Sequence, residues 1–287
     1  MRNRSILFCI LCLIILFTNC QLFLLGDNPS LKELEQYIRR FQDSRATHTY
    51  DQYEELLSEL TDERYIVLPI YEMIDTINDS KIIVGMRHDV DCHPFKALEI
   101  AELENTYGLR STYYFLATAS YYGKFTDIDI ERFACMEEVY QEIYNLGNEV
   151  GIHNDLLTVM IEENIEPYDF NWNEILFYSG LGVEIEGTSA HGSNIANIIG
   201  SNYQIFSDFA DSAYVEYGGK KYEIGKYSLS EFGFKYAASF INYTKYYSES
   251  GGEWNVEGGL GQLIIKLKSS NSGDRIQILT HPVWWGK

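Results

Sequence analysis

The chain has 287 residues, a length at which an α/β barrel commonly folds as a single domain. Its hydrophobic fraction of 46% and its five prolines exclude a disordered or collagen-like chain. The 42 acidic residues outnumber the 22 basic ones, which gives a formal net charge of −20. A surface with this charge repels a phosphate backbone, so the sequence argues against DNA or RNA partners and leaves neutral or cationic small molecules and glycans.

The first 26 residues have the pattern of an export segment. Arg2 and Arg4 precede a predominantly apolar stretch over residues 6–25, which is long enough for one membrane-spanning helix. Three interpretations remain open: a retained N-terminal anchor, a lipoprotein signal cleaved before Cys20, for which Asn19 is a poor fit, and a cleaved secretory signal. Each of them places the rest of the chain outside the cytoplasm, either attached to the membrane or secreted.

The chain after this segment divides into a short stem and one domain. Ser30 and Glu33 form a capping box, which predicts a helix from Leu31. We expect residues 27–48 to form a helical stem between the membrane and the domain. Residues 49–287 then form the domain itself.

Apolar runs and helical periodicities alternate along the domain. Runs rich in apolar and β-branched residues predict strands at 81–86, 111–117, 149–153, 183–189 and 275–280. Amphipathic patterns predict helices at 50–60, 94–108 and 131–146. The order strand, helix, strand, helix, strand indicates βαβ units and a parallel sheet, hence the α/β class. The tyrosine-rich segment 200–250 gives no clear prediction.

Ionisable residues follow four of these strands. The segment Arg87–Asp91 comes after the first strand, and His153, His191 and His281 each end or follow a later one. Because the carboxyl ends of parallel strands converge on one face of an α/β barrel, we expect these side chains to meet there. The sequence therefore predicts one rim that carries two aspartates and three histidines.

The residue types at this rim indicate a metal site. Alternation along an extended strand would place Arg87, Asp89 and Asp91 on the same side. Carboxylate and imidazole donors suit Zn²⁺ or another divalent transition metal. Each residue alone also has a structural interpretation, such as a salt bridge at a strand end or a histidine that caps a turn, but the coincidence at four strand ends favours a site. The remaining histidines are interpreted as structural: His48, His88 and His93.

Five short motifs occur in a consistent order over residues 50–287. They are RHDVD at 87–91, LGNEVGIH at 146–153, SAHGS at 189–193, SESGGEW at 248–254 and ILTHPVWW at 278–285. In these motifs the chain resembles the polysaccharide deacetylases of the NodB-homology type, and among them the branch found in surface-polysaccharide biosynthesis. The resemblance implies that the domain is a catalytic, distorted (β/α) barrel. It also implies a divalent metal, with Zn²⁺ the expected ion, and hydrolytic removal of an acyl group from an amino sugar of a polysaccharide.

The resemblance implies roles for four residues. Asp89 matches the general base, and Asp91 matches the metal-binding carboxylate. His153 matches the first histidine of the metal pair, and His281 matches the histidine that protonates the leaving amine. Beside them, Arg87 is expected to orient Asp89 or to keep it ionised by its charge.

The chain departs from the family pattern at two positions. Leu157 stands where the family has a second metal-binding histidine, and Glu249 replaces the usual aspartate of the Ser-Asp-Ser motif. The third ligand is therefore open between His191 and Asp155, or the metal binds weakly. We expect His191, because its strand end comes next in the chain after that of His153 and sequential strands are usually neighbours.

Tryptophans in the last two motifs are expected to bind substrate. Trp254, Trp284 and Trp285 would form apolar walls for the acyl methyl and the sugar ring, although two of the three can equally belong to the core. Two other functions stay open from the sequence. One is a degenerate relative that binds glycan without hydrolysing it, and the other is a metallohydrolase for a different amide or for phosphate esters. The sequence does not indicate an oligomeric state.

Overall fold

The computed structural model describes residues 28–286 of the chain. The predicted export segment, residues 1–26, lies outside them. In this described part of the chain, no helix is both long and apolar enough to cross a membrane.

Helices and strands alternate through most of this length. The helices span Leu31–Gln42, Tyr50–Leu60, Ile70–Asp75, Pro94–Thr106, Met136–Asn145, Leu156–Ile161, Pro167–Gly180, Asn194–Ile199 and Gly259–Lys268. The strands are β1 (Tyr65–Leu68), β2 (Ile82–Val90), β3 (Thr112–Leu116), β4 (Gly123–Phe125), β5 (Ile130–Arg132), β6 (Glu149–Asn154), β7 (Ile185–Ala190), β8 (Tyr214–Tyr217), β9 (Lys220–Glu223), β10 (Tyr236–Ala237), β11 (Lys245–Ser250), β12 (Glu253–Trp254) and β13 (Arg275–Thr280).

Nine of these strands form one curled, half-barrel sheet in which nearly all pairs are parallel. The strand order is β10-β7-β6-β3-β2-β13-β11-β12, and β1 pairs with the amino-terminal half of β2. In this sheet β12 runs antiparallel, against the end of β11. The predicted parallel sheet is confirmed: the protein is a mixed α/β fold whose curled sheet is compatible with a distorted barrel.

Strand β2 is longer than predicted. It continues past Met86 to Val90, because β13 pairs with it as far as His88 and β3 pairs with it from Arg87 onward. All nine of its residues are buried. The extended backbone places Arg87 and Asp89 on the same side of the sheet, as expected.

The helix predicted at 131–146 begins later, at Met136. Residues 130–132 instead form β5, which pairs antiparallel with β4. Phe133, expected on the helix, lies between the two elements and is fully buried, and its N–H donates to Tyr122 O at 2.9 Å. A hairpin followed by a helix buries the same apolar residues as one longer helix, so periodicity alone could not place this boundary.

The first helix packs on the domain rather than standing apart as a stem. It begins as predicted after Ser30, whose Oγ accepts a hydrogen bond from the Glu33 N–H while the Glu33 carboxylate accepts one from the Ser30 N–H. Leu34 and Ile38 lie in the main hydrophobic core, with exposed fractions of 0% and 1%. The expected separation of a stem, residues 27–48, from the domain is therefore absent from the packing of the described residues.

The face of the sheet that carries Asp89 holds a hydrogen-bonded pair of tyrosines. Tyr114 lies across Gly151 and Tyr236 lies across Gly187, and a Cβ atom at either glycine would come within 2.5 Å of the tyrosine ring. The two hydroxyl oxygens are 2.7 Å apart. The tyrosine rings therefore need glycine at both strand positions, and together they fill part of the half-barrel.

The opposite face carries a buried polar group, and His88 belongs to it. His88 points away from Asp89, and its Nε2 lies 2.9 Å from Glu104 Oε1. The hydroxyls of Tyr53 and Tyr113 donate to the same carboxylate at 2.6 and 2.7 Å. All four of these side chains belong to residues with 0% exposure, so the hydrogen bonds compensate their loss of water. His88 is structural.

Replacing Leu34 by alanine should lower the free energy of unfolding by about 2–5 kcal/mol, the usual cost of truncating a fully buried leucine. The exposed Gln36 on the same helix is the matched control, and Gln36→Ala should change this free energy by less than about 0.5 kcal/mol. Denaturant titration of both variants measures the two values. A helix that served only as a stem would leave domain stability unchanged in both variants, and that result would contradict the observed packing.

Candidate metal centre

Three side chains meet at the carboxyl ends of β2, β6 and β7. Asp91 follows β2, His153 lies near the end of β6, and His191 follows β7. Asp91 Oδ1 is 3.2 Å from His153 Nε2 and 3.4 Å from His191 Nδ1, and the two histidine nitrogens are 3.3 Å apart. One donor atom from each residue thus lies within 4.8 Å of the others. The three residues predicted as metal ligands are together in the structure.

The pairing of β6 with β7 places the two histidines side by side. In this parallel pair His153 is opposite Ser189 and Asn154 is opposite Ala190. His191 comes next in the chain, and its N–H donates to Asn154 O at 2.8 Å. The two imidazole rings consequently lie with their centroids 5.0 Å apart. The adjacency of these strand ends, on which the choice of His191 depended, is confirmed.

A backbone carbonyl fixes the orientation of the His153 ring. Its Nδ1 lies 2.9 Å from Ser189 O, and a carbonyl oxygen can only accept, so Nδ1 carries the proton. In a neutral imidazole the lone pair is then on Nε2, the nitrogen that faces Asp91 and His191. Ligand histidines usually have their second nitrogen held by a partner of this kind.

The three donors fit a small divalent cation. Their separations of 3.2–3.4 Å match the edge of a coordination tetrahedron, which is about 3.3 Å for metal–ligand bonds of about 2.0 Å. Asp91 Oδ1 is buried and has no hydrogen bond of good geometry among the described residues, so a cation would satisfy this oxygen. Two imidazoles and one carboxylate suit Zn²⁺ or a similar ion, and three protein donors leave a position for water or substrate.

Asp155, the alternative third ligand, is engaged elsewhere. Its Oδ1 accepts hydrogen bonds from Thr158 Oγ1 at 2.7 Å and from Asn202 Nδ2 at 2.9 Å, and its Oδ2 accepts one from Thr118 Oγ1 at 2.8 Å. Leu157, which stands in place of the family's second histidine, is fully buried in the core. The structure therefore does not bring Asp155 to the group of ligands.

Asp89 lies beside the ligands without joining them. Its Oδ2 is 3.9 Å from His153 Nε2 and accepts hydrogen bonds from Arg87 Nη2 at 3.0 Å and from Ser189 Oγ at 3.1 Å. Burial alone would raise the pKa of Asp89, but the positive charge of Arg87 opposes this effect and the pKa lies below its ordinary value. Asp89 is therefore ionised at neutral pH, and Arg87 holds one of its carboxylate oxygens.

His281 approaches Asp91 from the end of β13, with its Nε2 4.0 Å from Asp91 Oδ2. Glu249 holds the ring, because His281 Nδ1 donates to Glu249 O at 2.8 Å. The buried Glu249 carboxylate also accepts from the His281 N–H at 3.0 Å and from the Gly252 N–H at 2.8 Å. Burial alone would lower the pKa of His281, but the hydrogen bond with Glu249 and the charges of Asp91 and Asp89 raise it to about 9. Without a bound metal, the ring is an imidazolium at neutral pH.

The three tryptophans occupy different environments. Trp285 is fully buried, and its ring centroid lies 4.8 Å from that of Tyr53 and 4.9 Å from that of His48. This corrects the expectation that Trp285 forms a wall of the substrate site, because its ring presents no surface to a ligand. Trp254 packs against Trp285 and is 9% exposed. Trp284 is partly exposed, the most exposed of the three.

Two supporting residues escaped the sequence analysis. Ser189 serves both sides of the site, because its Oγ donates to Asp89 and its carbonyl oxygen holds His153. Asn202 holds the loop after β7, since its Nδ2 donates to His191 O at 2.8 Å. A serine two residues before the predicted histidine was a weak signal for the first. Asn202 lies in the tyrosine-rich segment, where no pattern pointed to it.

Comparison with known protein families gives no match to this chain, and no curated protein gives a significant match either. The interpretation of the site therefore depends on its own geometry and on the motifs in the sequence.

Zinc affinity should distinguish the three proposed ligands from the residues around them. Asp91→Ala, His153→Ala and His191→Ala should each weaken Zn²⁺ binding by more than the roughly 10- to 100-fold that the loss of a supporting residue costs, because each removes a donor. Asp155→Asn is the matched control for a buried carboxylate nearby, and it should keep its zinc. Competition with a chromogenic chelator measures all four affinities. Zinc that persists in His191→Ala and is lost in Asp155→Asn would reverse the two assignments.

Proposed function

We propose that this protein is an exported, metal-dependent hydrolase that removes an N-acyl group, acetyl in the simplest case, from an amino sugar of a polysaccharide. One observation carries the proposal. A carboxylate and an imidazole that are not ligands, those of Asp89 and His281, lie within 4.0 Å of the group formed by Asp91, His153 and His191. Amide hydrolysis needs a base for the attacking water and an acid for the leaving nitrogen, and this arrangement offers one of each.

The five sequence motifs support a more specific description of the fold and of the substrate. They favour a distorted (β/α) barrel of the NodB-homology type as the form of the curled sheet, and a polysaccharide as the substrate. The first 26 residues favour export of the domain by an anchor, a lipoprotein signal or a cleaved signal. Zn²⁺ is the proposed metal, because two imidazole nitrogens and a carboxylate oxygen suit it.

Asp89 is placed to act as the general base. A divalent ion held by the three ligands would lower the pKa of a bound water and polarise the acyl carbonyl. Arg87 and Ser189 hold Oδ2 of Asp89, whereas Oδ1 is buried without a hydrogen bond of good geometry in the described part of the chain. The carboxylate is thus oriented through one oxygen and keeps the other available for the proton of the attacking water.

His281 is placed to act as the general acid. The nitrogen of an amide leaves only when it is protonated, because an amine anion is too basic to depart. Glu249, Asp91 and Asp89 favour the imidazolium form of His281 against the opposing effect of burial. Glu249 is longer than the aspartate of the family motif, yet it contacts His281 through both its backbone oxygen and its carboxylate. The departure at this position is compatible with the proposed role.

The two alternative functions have less support. Leu157 in place of a histidine favours glycan binding without hydrolysis, but His191 brings a third donor to the group. A metallohydrolase for other amides or for phosphate esters could use the same ligand geometry. The motifs favour an amino sugar.

Acetate release tests this function directly. The zinc-loaded protein should release acetate from oligosaccharides of N-acetylglucosamine. Asp89→Asn should lower the rate about 10²- to 10⁴-fold with unchanged zinc content, because a general base acts on the barrier and not on metal affinity. The exposed Asp127 provides a matched control, and Asp127→Asn should keep full activity. Oligosaccharide binding by the wild-type protein without any acetate release would favour the glycan-binding alternative.

The pH dependence of turnover tests the role of His281. A general acid must be protonated, so kcat should fall as the pH rises through the pKa of His281 in the enzyme–substrate complex. Glu249→Gln removes a negative charge beside the ring, which should lower this pKa and move the alkaline limb of kcat to lower pH by about one unit or more. Glu253→Gln alters an exposed carboxylate of the same hairpin and should leave the limb in place. An alkaline limb that does not move in Glu249→Gln would exclude His281 as the titrating acid.

A further inference from the structure

Arg45 lies close in the fold to the proposed ligand Asp91 and has no acidic partner among residues 28–286. It ends the short turn Asp43–Arg45 that follows the first helix, and it contacts Cys92, the residue directly after the ligand Asp91. Arg45 Nη1 is 3.2 Å from Cys92 Sγ and 3.2 Å from Gln42 Oε1. Its Nε and Nη2 groups have no hydrogen-bond or ion-pair partner within residues 28–286. The Nε and Nη2 groups of Arg45 are therefore available to donate hydrogen bonds to a ligand.

Stacking on Trp284 fixes the position of the guanidinium. The Cζ atom of Arg45 lies 4.5 Å from the centroid of the Trp284 ring, a cation–π contact. Trp284 in turn packs against Gly252, where a Cβ atom would come within 3.3 Å of the ring. Gly252 also donates its N–H to the carboxylate of Glu249, which holds His281. The Arg45 side chain is thus held against the same elements that carry the proposed general acid.

The nearest acidic residue in the sequence, Asp43, does not neutralise Arg45. Asp43 Oδ1 lies 3.0 Å from His93 Nε2, 3.6 Å from Lys96 Nζ and 4.0 Å from Arg39 Nη1. Five other arginines each form an ion pair with a carboxylate: Arg39, Arg64, Arg87, Arg110 and Arg132. Arg45 is exposed and keeps its charge available, in a chain whose formal net charge is −20.

We propose that Arg45 forms an anion-binding subsite, which binds a carboxylate or phosphate group on the sugar next to the acylated amino sugar. This inference rests on the proposed function, because that function places the amino sugar at Asp91, His153 and His191. The Nε and Nη2 donors of an arginine form a planar fork that matches two oxygens of a carboxylate or a phosphate. Local positive charge at Arg45 would let an acidic protein accept an anionic glycan at this edge of the site.

Three tetrasaccharides test the subsite. The first is neutral and built of N-acetylglucosamine, the second alternates N-acetylglucosamine with glucuronate, and the third is the neutral compound with one 6-phosphate. Each is titrated calorimetrically into the zinc-loaded, full-length chain carrying Asp89→Asn, so that the sugars stay intact. At least one anionic sugar should bind about tenfold more tightly than the neutral one, the gain expected from a charge-assisted pair. The sugar that shows the gain identifies the anionic group as carboxylate or phosphate.

Two arginine variants test whether Arg45 causes the higher affinity for the anionic sugar. Arg45→Gln should abolish it and leave the affinity for the neutral sugar within about twofold, because only the anion loses its partner. Arg40→Gln removes the same charge from an exposed position on the preceding helix and should keep the gain. A gain that survives Arg45→Gln, an equal loss in both variants, or equal affinities for all three sugars would each overturn the subsite.

Acetate release by the wild-type chain is measured separately, so the two proposals can fail independently. An Arg45-dependent gain in affinity without acetate release would contradict the hydrolase and support the anion subsite. Acetate release from the neutral sugar, with no preference for either anionic one, would support the hydrolase and contradict the subsite.

Discussion

Parallel pairing of β2 with β3, of β3 with β6 and of β6 with β7 brings the carboxyl ends of distant strands to one edge of the sheet, and the candidate site depends on this constraint. His153 and His191 meet because the parallel pairing of β6 with β7 places His153 opposite Ser189, and Asp91 reaches them from the end of β2. No local interaction along the chain could assemble these three donors. The hydrogen bonds between these strands fix the separation of the three donors. The hydrogen bond from His153 to Ser189 O then orients the His153 ring.

Neighbouring charges give Asp89 and His281, the two groups beside the candidate ligands, opposite protonation states. Arg87 keeps Asp89 ionised although it is buried, and Glu249 helps to keep His281 protonated although burial opposes this. A base that lacks its proton and an acid that retains one are what hydrolysis of an amide requires. The protein achieves this difference with neighbouring charges and hydrogen bonds, because both groups are largely removed from water.

Packing away from the candidate metal site still determines which residues lie at its edge. Leu34 and Ile38 anchor the first helix in the main core, and the turn after that helix delivers Arg45 to the stacked ring of Trp284. A segment that the sequence suggests is only a connection to the membrane is thus part of the folded unit. It contributes Arg45, which has no acidic partner among the described residues.

The sequence by itself determined the features that depend on neighbouring residues. The capping box, the strand at 275–280, the α/β class and the chemical types at the strand ends all follow from short-range patterns of polarity and backbone preference. Only the tertiary structure decided between His191 and Asp155 as the third donor, since both are polar and only contacts with other segments occupy Asp155. It also decided that Trp285 is buried and that Arg45 contacts Cys92, the residue after the proposed ligand Asp91. These outcomes depend on which surfaces of the folded chain contact each other, and residue patterns along the sequence do not specify those contacts.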